Sequence, residues 1–207
     1  MMLPSDLLSP LRVALATVPE EIDWSALQAC FPERPLDQLS PTRRLEHAAV
    51  AAAMAELSIG EVRHDPSGRP LCAEHSISIS HATDEAGQLW AAVVSGPIGT
   101  PLGIDLERPR PQLARVAPRI FSQSERELIA GRPALQSVVW NIKEAGWKAF
   151  GPNLDYRADI ETLEVCHANS MNEGAIASVR IRKFIHRYYV ASLPHDLSMA
   201  VGPLPQG

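Results

Sequence analysis

Residues 101–107, "PLGIDLE", constrain the fold more than any other stretch of the chain. The apolar residues predict a strand that enters the core, yet Asp105 and Glu107 lie two positions apart in it. Alternate residues of a strand point to the same face, and a rise of roughly 3.3 Å per residue places these carboxylates about 7 Å apart. Like charges at that spacing need a positive partner. The fold must therefore bring a cation or a basic side chain to this strand.

A charged cluster in a later helix offers partners for these carboxylates. In residues 140–151, "WNIKEAGWKAFG", Glu144 and Lys148 are four positions apart and share one helix face. An isolated pair of this kind stabilises an exposed helix by only about 0.2–0.5 kcal/mol. Together with Asp105 and Glu107, however, Glu144 completes a set of three carboxylates that suits Mg²⁺, which prefers hard oxygen ligands. Lys148 could then reach a phosphate or a leaving oxygen.

The hydrophobic patterning predicts an α+β fold rather than a doubly wound one, because helices and strands come in separate runs with short connections. The capping signals are Ser40 before Pro41 and the capping box of Ser122 and Glu125. Helices are predicted over residues 42–57, 123–130 and 134–150, and strands over residues 76–82, 89–95 and in the alternating segments after residue 160. A boundary between two lobes is predicted near residues 96–100.

Composition excludes several classes of protein. The net charge of −5 argues against a general nucleic-acid binder. The most apolar segment, residues 48–55, is too short to cross a bilayer, and the first residues lack the basic start of a signal peptide. Three widely spaced cysteines predict no structural disulfide and a reducing compartment. We therefore expect a cytoplasmic protein that binds neither nucleic acid nor membrane.

Five segments in a fixed order resemble the motifs of 4′-phosphopantetheinyl transferases. "GIDLE" is similar to their GID-x-E motif, and "WNIKEAGWKAF" to their W-x-x-K-E-(A/S)-x-x-K motif. "LSPTRRLEHAA", "GRPLCAEHSISISHA" and "FSQSERELI" resemble weaker motifs of the family. The length resembles the larger, monomeric surfactin-synthetase-activating type. The resemblance implies two similar α+β lobes in a pseudo-twofold arrangement, residues 1–98 and 99–207, with the active site at their interface.

The resemblance also implies a reaction. The 4′-phosphopantetheine group of coenzyme A would pass to a serine of an apo acyl or peptidyl carrier protein, leaving 3′,5′-ADP. Asp105, Glu107 and Glu144 would hold Mg²⁺ or Mn²⁺, and Glu144, or a water that it orients, would take the serine proton. Lys148 would stabilise or protonate the leaving group.

The same resemblance implies side chains that bind coenzyme A. Lys143 and His81 would contact its phosphates, Arg43 or Arg44 would hold the 3′-phosphate, and Arg69 and Ser80 would line the nucleotide site. The first helix departs from the family pattern, because residues 48–55 lack the further basic residue that often follows the leading arginine.

Other interpretations remain open for parts of the sequence. The capping box explains Glu125, so it is left out of the site. Residues 179–187, "VRIRKFIHR", are either the solvated face of a strand or a docking patch for an acidic carrier protein. For the whole chain, the alternatives are a coenzyme A-binding homologue without turnover and a metal-dependent phosphodiesterase or nuclease. The negative net charge disfavours a nucleic-acid substrate for the latter.

Overall fold

The computed structural model describes residues 8–109, 112–167, 174–194 and 196–205, which contain five α-helices and ten strands. The helices are α1 (Trp24–Cys30), α2 (Pro41–Glu56), α3 (Leu113–Ile120), α4 (Gln123–Ile129) and α5 (Pro133–Phe150). The strands are β1 (Arg12–Thr17), β2 (Arg63–His64), β3 (Pro70–Leu71), β4 (Ser76–Thr83), β5 (Leu89–Gly96), β6 (Gly103–Glu107), β7 (Ile160–His167), β8 (Ala175–Ile181), β9 (Phe184–Ser192) and β10 (Ser198–Gly202). None of the helices in the described part of the chain has the length and apolarity that a bilayer crossing requires.

The strands form three sheets, and every strand pair within them is antiparallel. One sheet has the order β1-β5-β4, the second has the order β6-β10-β9-β8-β7, and β2 pairs with β3. The prediction of a mixed chain of helices and antiparallel strands is confirmed. The predicted boundary between residues 98 and 99 falls in the link between β5 and β6, that is, between the two larger sheets. The division into two lobes with a pseudo-twofold axis stays a prediction.

Local sequence signals explain where the helices begin. The Ser40 hydroxyl accepts the backbone N–H of Arg43 at 3.3 Å and caps α2, and the predicted capping box of Ser122 and Glu125 is present at α4. Helix α1 was not predicted, because it lies in a proline-rich stretch. Its signal was Asp23, whose carboxylate accepts two backbone N–H groups as the N-cap.

Three of the four hydrophobic clusters lie in layers around the two larger sheets, and the fourth lies where α3, α4 and α5 meet. Helix α2 packs on one face of the three-stranded sheet, and a second layer fills the space between the two sheets. Helix α5 covers the outer face of the five-stranded sheet. Strand β6 contributes Ile104 and Leu106 to the middle layer, so its other face is left for contact with α5.

Two serine side chains join β4 to β6 where the two larger sheets meet. The hydroxyl of Ser78 accepts the backbone N–H of Ile104 at 3.2 Å, and that of Ser80 accepts the N–H of Leu106 at 3.1 Å. Both bonds join residues 26 positions apart, so the two strands run in the same direction. Side-chain oxygens thus act as the acceptors that a neighbouring strand would normally supply. We call these two bonds the serine bridge.

Gly103 allows β6 to approach α5 closely. A Cβ at this position would collide with the Ala145 carbonyl oxygen and lie 2.9 Å from its carbon and 3.0 Å from the Ala149 nitrogen. These contacts are with helix backbone, which cannot rotate away as a flexible side chain would. The glycine of "GIDLE" therefore sets the distance between the strand and the helix.

We expect Gly103→Ala to destabilise the protein by about 1–3 kcal/mol, the usual cost of forcing extra volume into a packed core. Urea unfolding of the purified variant measures this. Gly60→Ala is the matched control, because a Cβ there meets no atom within 4 Å, and its effect should stay within about 0.5 kcal/mol. Equal stability of the two variants would show that α5 can move away from β6 without loss of stability.

Candidate active site

The carboxylates of β6 lie on the strand face that packs against α5. Asp105 and Glu107 alternate with the core residues Ile104 and Leu106, and only 6% and 7% of their surfaces are exposed. The Glu107 carboxylate accepts the backbone N–H of Arg108 at 3.1 Å. Two carboxylates are therefore held in a largely buried position, as the sequence pattern predicted.

Lys148 places its ammonium group beside Asp105. The Lys148 Nζ lies 2.8 Å from Asp105 Oδ1 and donates to the carbonyl oxygens of Ile104 at 3.0 Å and Ile79 at 3.4 Å. One quarter of the Lys148 side chain is exposed, and the residue lines a pocket of about 210 Å³ together with Ile79 and Trp147, which we call the cleft. A basic side chain thus meets the strand at the position where the sequence requires one.

Ser80 holds Asp105 from the opposite side. Its hydroxyl donates to Asp105 Oδ1 at 3.0 Å while accepting the N–H of Leu106. The hydroxyl is therefore engaged with β6. Only 7% of the Ser80 surface is exposed. The structure places Ser80 behind the carboxylate rather than on the wall of a nucleotide pocket.

Glu144 lies close enough to Asp105 and Glu107 for their charges to act on its carboxyl group. Burial raises the pKa of Glu144 first, and the charge of Asp105 raises it further, with a smaller contribution from Glu107. The Lys148 ammonium and a hydrogen bond with the Tyr156 side chain lower this pKa in part. A carboxyl group in this environment binds a proton more readily than one in water.

The three carboxylates lie near enough to influence one another without forming a closed ligand set. Among the described residues, no three His, Cys, Asp or Glu side chains gather closely enough to hold a metal ion as they stand. Asp105 Oδ1 accepts hydrogen bonds from Ser80 and Lys148, and a Glu107 oxygen accepts the Arg108 N–H. A cation would have to draw the side chains toward one point.

Arg43 and His81 meet at the carboxylate of Glu46. Arg43 Nη1 lies 2.8 Å from Glu46 Oε2, and His81 Nε2 lies 3.8 Å from the same oxygen. Burial lowers the pKa of His81, and the Glu46 charge opposes that shift. Sequence reasoning missed Glu46, although it lies three positions after Arg43, a spacing that places both on one face of α2. Arg43 keeps 61% of its side chain exposed and can reach a ligand.

Arg44 points away from this cluster. Its guanidinium donates to the carbonyl oxygens of Leu39 at 3.1 Å and Asp37 at 2.5 Å, in the segment just before α2. The structure therefore brings Arg43, and not Arg44, to the side of the helix that faces His81.

Arg69 lies at the other end of the cleft. Its guanidinium donates to the Ala149 carbonyl at 3.4 Å, and its backbone N–H is held by the Asp65 carboxylate. It lines the same pocket of about 210 Å³ as Trp147 and Lys148. A larger pocket of about 670 Å³, lined by β1 together with Leu193, Pro194 and Leu197, has none of the predicted site residues in its lining.

The structure does not bring Lys143 to the cleft. Its side chain is fully buried, and its Nζ lies 2.8 Å from Glu125 Oε2. The same ammonium donates to the carbonyl oxygens of Tyr156, at 2.6 Å, and Ile160. Burial lowers the pKa of Lys143, and the Glu125 charge opposes that shift. Lys143 is thus committed to an internal ion pair, and this placement leaves it no contact with a phosphate.

Glu125 has a larger role than its capping box. Besides the Ser122 N–H, its carboxylate accepts the backbone N–H of Thr162 at 2.8 Å and pairs with Lys143. It therefore connects α4, α5 and β7. No local sequence signal indicates a partner 18 residues away.

The second half of the chain matches a known family. Residues 101–201 match the family model of the 4′-phosphopantetheinyl transferase superfamily. This range includes β6 and α5. It also includes the three carboxylates and the lysine predicted at the centre of the site. A comparison with curated proteins found no match.

Proposed function

We propose that this chain is a 4′-phosphopantetheinyl transferase of the larger, surfactin-synthetase-activating type, within the superfamily that residues 101–201 match. It would transfer 4′-phosphopantetheine from coenzyme A to the serine of an apo acyl or peptidyl carrier protein and release 3′,5′-ADP. One observation carries the proposal, namely that Lys148 lies 2.8 Å from the buried Asp105, with Glu144 one turn away on the same helix. Glu144 and Lys148 would then offer a base and a cation from one helix face beside Asp105.

Asp105, Glu107 and Glu144 would hold Mg²⁺ or Mn²⁺. The fit rests on their chemistry, since they offer hard oxygen donors, and since burial and the charge of Asp105 raise the pKa of Glu144. When bound, the ion would neutralise charge on the pyrophosphate and orient it.

Glu144 is the proposed proton acceptor for the carrier serine. A general base works best when its pKa is close to the working pH, and the buried position of Glu144 shifts its pKa in that direction. The serine oxygen forms a bond to the phosphorus of the phosphopantetheine group, and the bond from that phosphorus to the 3′,5′-ADP oxygen breaks. Phosphoryl transfer of this kind depends mainly on positioning and charge neutralisation.

Lys148 would stabilise the leaving 3′,5′-ADP. Its ammonium already has Asp105 and two carbonyl oxygens as acceptors, and its partly exposed position lets it exchange one carbonyl for a phosphate oxygen. Arg43 and His81 would bind the 3′-phosphate side of coenzyme A, and Arg69 would border its nucleotide. We assign Ser80 the task of fixing Asp105, and we assign Lys143 and Arg44 to the framework.

Intact-mass analysis of an apo carrier protein tests the proposal. Incubation with this chain, coenzyme A and Mg²⁺ should increase the carrier mass by one phosphopantetheine group and release 3′,5′-ADP in equal amount. No gain on any apo carrier, with coenzyme A still bound, would indicate the homologue without turnover. Release of 3′,5′-ADP without a carrier would indicate a phosphodiesterase instead.

Arg43→Ala and Arg44→Ala should separate ligand binding from stability. Loss of a charge-assisted hydrogen bond costs about 1.5–3 kcal/mol, so we expect Arg43→Ala to weaken coenzyme A binding by roughly 10–100-fold. Its affinity for 3′-dephospho-coenzyme A should hardly change. Arg44→Ala should leave both affinities unchanged and lower the melting temperature. Calorimetric titration and thermal unfolding measure these effects, and the reverse pattern would assign the 3′-phosphate to Arg44.

A further inference from the structure

No sequence pattern pointed to Tyr156, which lies beside the candidate site. It lies in the connection between α5 and β7, and its ring packs against two tryptophans of α5. The ring centroids are 5.4 Å apart for Trp140 and 6.1 Å apart for Trp147, with interplanar angles of 35° and 18°. The phenol ring therefore lies across one face of the helix and is held by two aromatic contacts.

That helix face is the one that carries Glu144. Positions 140, 144 and 147 are four and three residues apart, so their side chains lie within about 60° of one another around the helix. The ring of Tyr156, packed against both tryptophans, therefore lies beside Glu144. A side-chain hydrogen bond with Tyr156 lowers the pKa of Glu144.

The backbone of Tyr156 is fixed as firmly as its ring. Its carbonyl oxygen accepts a hydrogen bond from Lys143 Nζ at 2.6 Å, and that ammonium is paired with Glu125. The neighbouring Asp155 carboxylate accepts the backbone N–H groups of Arg157 and Ala158 at 2.9 and 2.7 Å. The buried ion pair and this turn together determine where the hydroxyl points.

We propose that Tyr156 is a positioning residue for Glu144, and that the Lys143–Glu125 pair acts on the site by holding Tyr156 in place. The inference rests on the function proposed above. The negative charges of Asp105 and Glu107 repel the Glu144 carboxylate and favour its rotation. The hydrogen bond with the Tyr156 hydroxyl opposes that rotation and fixes the carboxylate, so that it can accept the serine proton. Residues that orient a ligating or basic carboxylate in this way typically contribute 10–100-fold to metal affinity or activity.

Tyr156→Phe tests this proposal, because it keeps the stacked ring and removes only the hydroxyl. We expect kcat for carrier modification to fall by roughly 10–100-fold, while KM for coenzyme A stays within about twofold. Mn²⁺ affinity, measured by electron paramagnetic resonance without any substrate, should fall by about tenfold. Tyr188→Phe is the matched control, since the Tyr188 hydroxyl is buried without a hydrogen-bond partner in the described structure, and its loss should change neither quantity.

Two results would overturn the role of Tyr156. One is a Tyr156→Phe variant whose kcat and Mn²⁺ affinity both stay within twofold of the wild type. The other is a rise in KM with unchanged kcat, which would mean that the hydroxyl contacts coenzyme A directly. If the wild type modifies no carrier, the proposed function fails, and the Mn²⁺ titration alone then decides whether Tyr156 positions Glu144.

Discussion

Glu144→Gln is expected to lower the rate of carrier modification by roughly 10²–10⁴-fold, the usual contribution of a general base. The amide keeps the shape and the hydrogen-bond acceptor of the side chain but cannot take the serine proton. The initial rate of phosphopantetheine transfer, followed by intact mass, measures the effect. Glu127→Gln is the matched control, because Glu127 is exposed on α4 and its carboxylate accepts a hydrogen bond from the Gln123 side chain on the same helix.

The melting temperature of Glu144→Gln distinguishes its loss of activity from misfolding. Burial and the Asp105 charge raise the pKa of Glu144 in the folded protein, so its ionised form destabilises the fold at any pH above that pKa. The neutral amide avoids this cost. Metal-free Glu144→Gln should therefore have a higher melting temperature than the wild type near pH 8, and the difference should shrink as the pH falls through the raised pKa. A variant that is both inactive and less stable at pH 8 would contradict this account.

The second large effect concerns the buried ion pair. Lys143→Met should lower the free energy of unfolding by about 3–5 kcal/mol, because it leaves the Glu125 carboxylate buried without its partner. Urea unfolding of the purified protein measures this change. Lys183→Met is the control, since Lys183 is exposed and lies over the Phe184 ring, so we expect a change within about 0.5 kcal/mol.

A double variant identifies the cause of the destabilisation. Glu125→Gln added to Lys143→Met removes the unpaired charge and keeps an oxygen for the Thr162 N–H, so part of the lost stability should return. The folded Lys143→Met protein should bind coenzyme A within about twofold of the wild type. Weaker binding without loss of stability would instead place Lys143 on a phosphate, as the family resemblance implies.

Much of the fold could be predicted from the sequence because its signals are local. The cap at Ser40, the capping box at Ser122 and the alternation of residues 76–82 each act within a few positions. The pattern of "GIDLE" likewise gave the strand and the common face of its two carboxylates. These features follow from the backbone geometry of single helices and strands, and residue patterns within a few positions are enough to indicate them.

The distribution of the basic residues could not be predicted in the same way. Lys143 and Lys148 are about 140° apart around α5, and Arg43 and Arg44 are about 100° apart around α2. Which member of each pair meets the cleft depends on how the helix packs, and α5 has apolar residues on more than one face. Tertiary structure sets the partner of Lys143, which is Glu125. The partners of Arg44 are two backbone carbonyls in the segment just before α2.

The serine bridge also protects the edge of a sheet. Strand β6 is the terminal strand of its sheet, and a terminal strand with open N–H groups can recruit strands from other molecules. The hydroxyls of Ser78 and Ser80 occupy the N–H groups of Ile104 and Leu106 on that strand. An edge that would otherwise invite aggregation is closed from within the same chain.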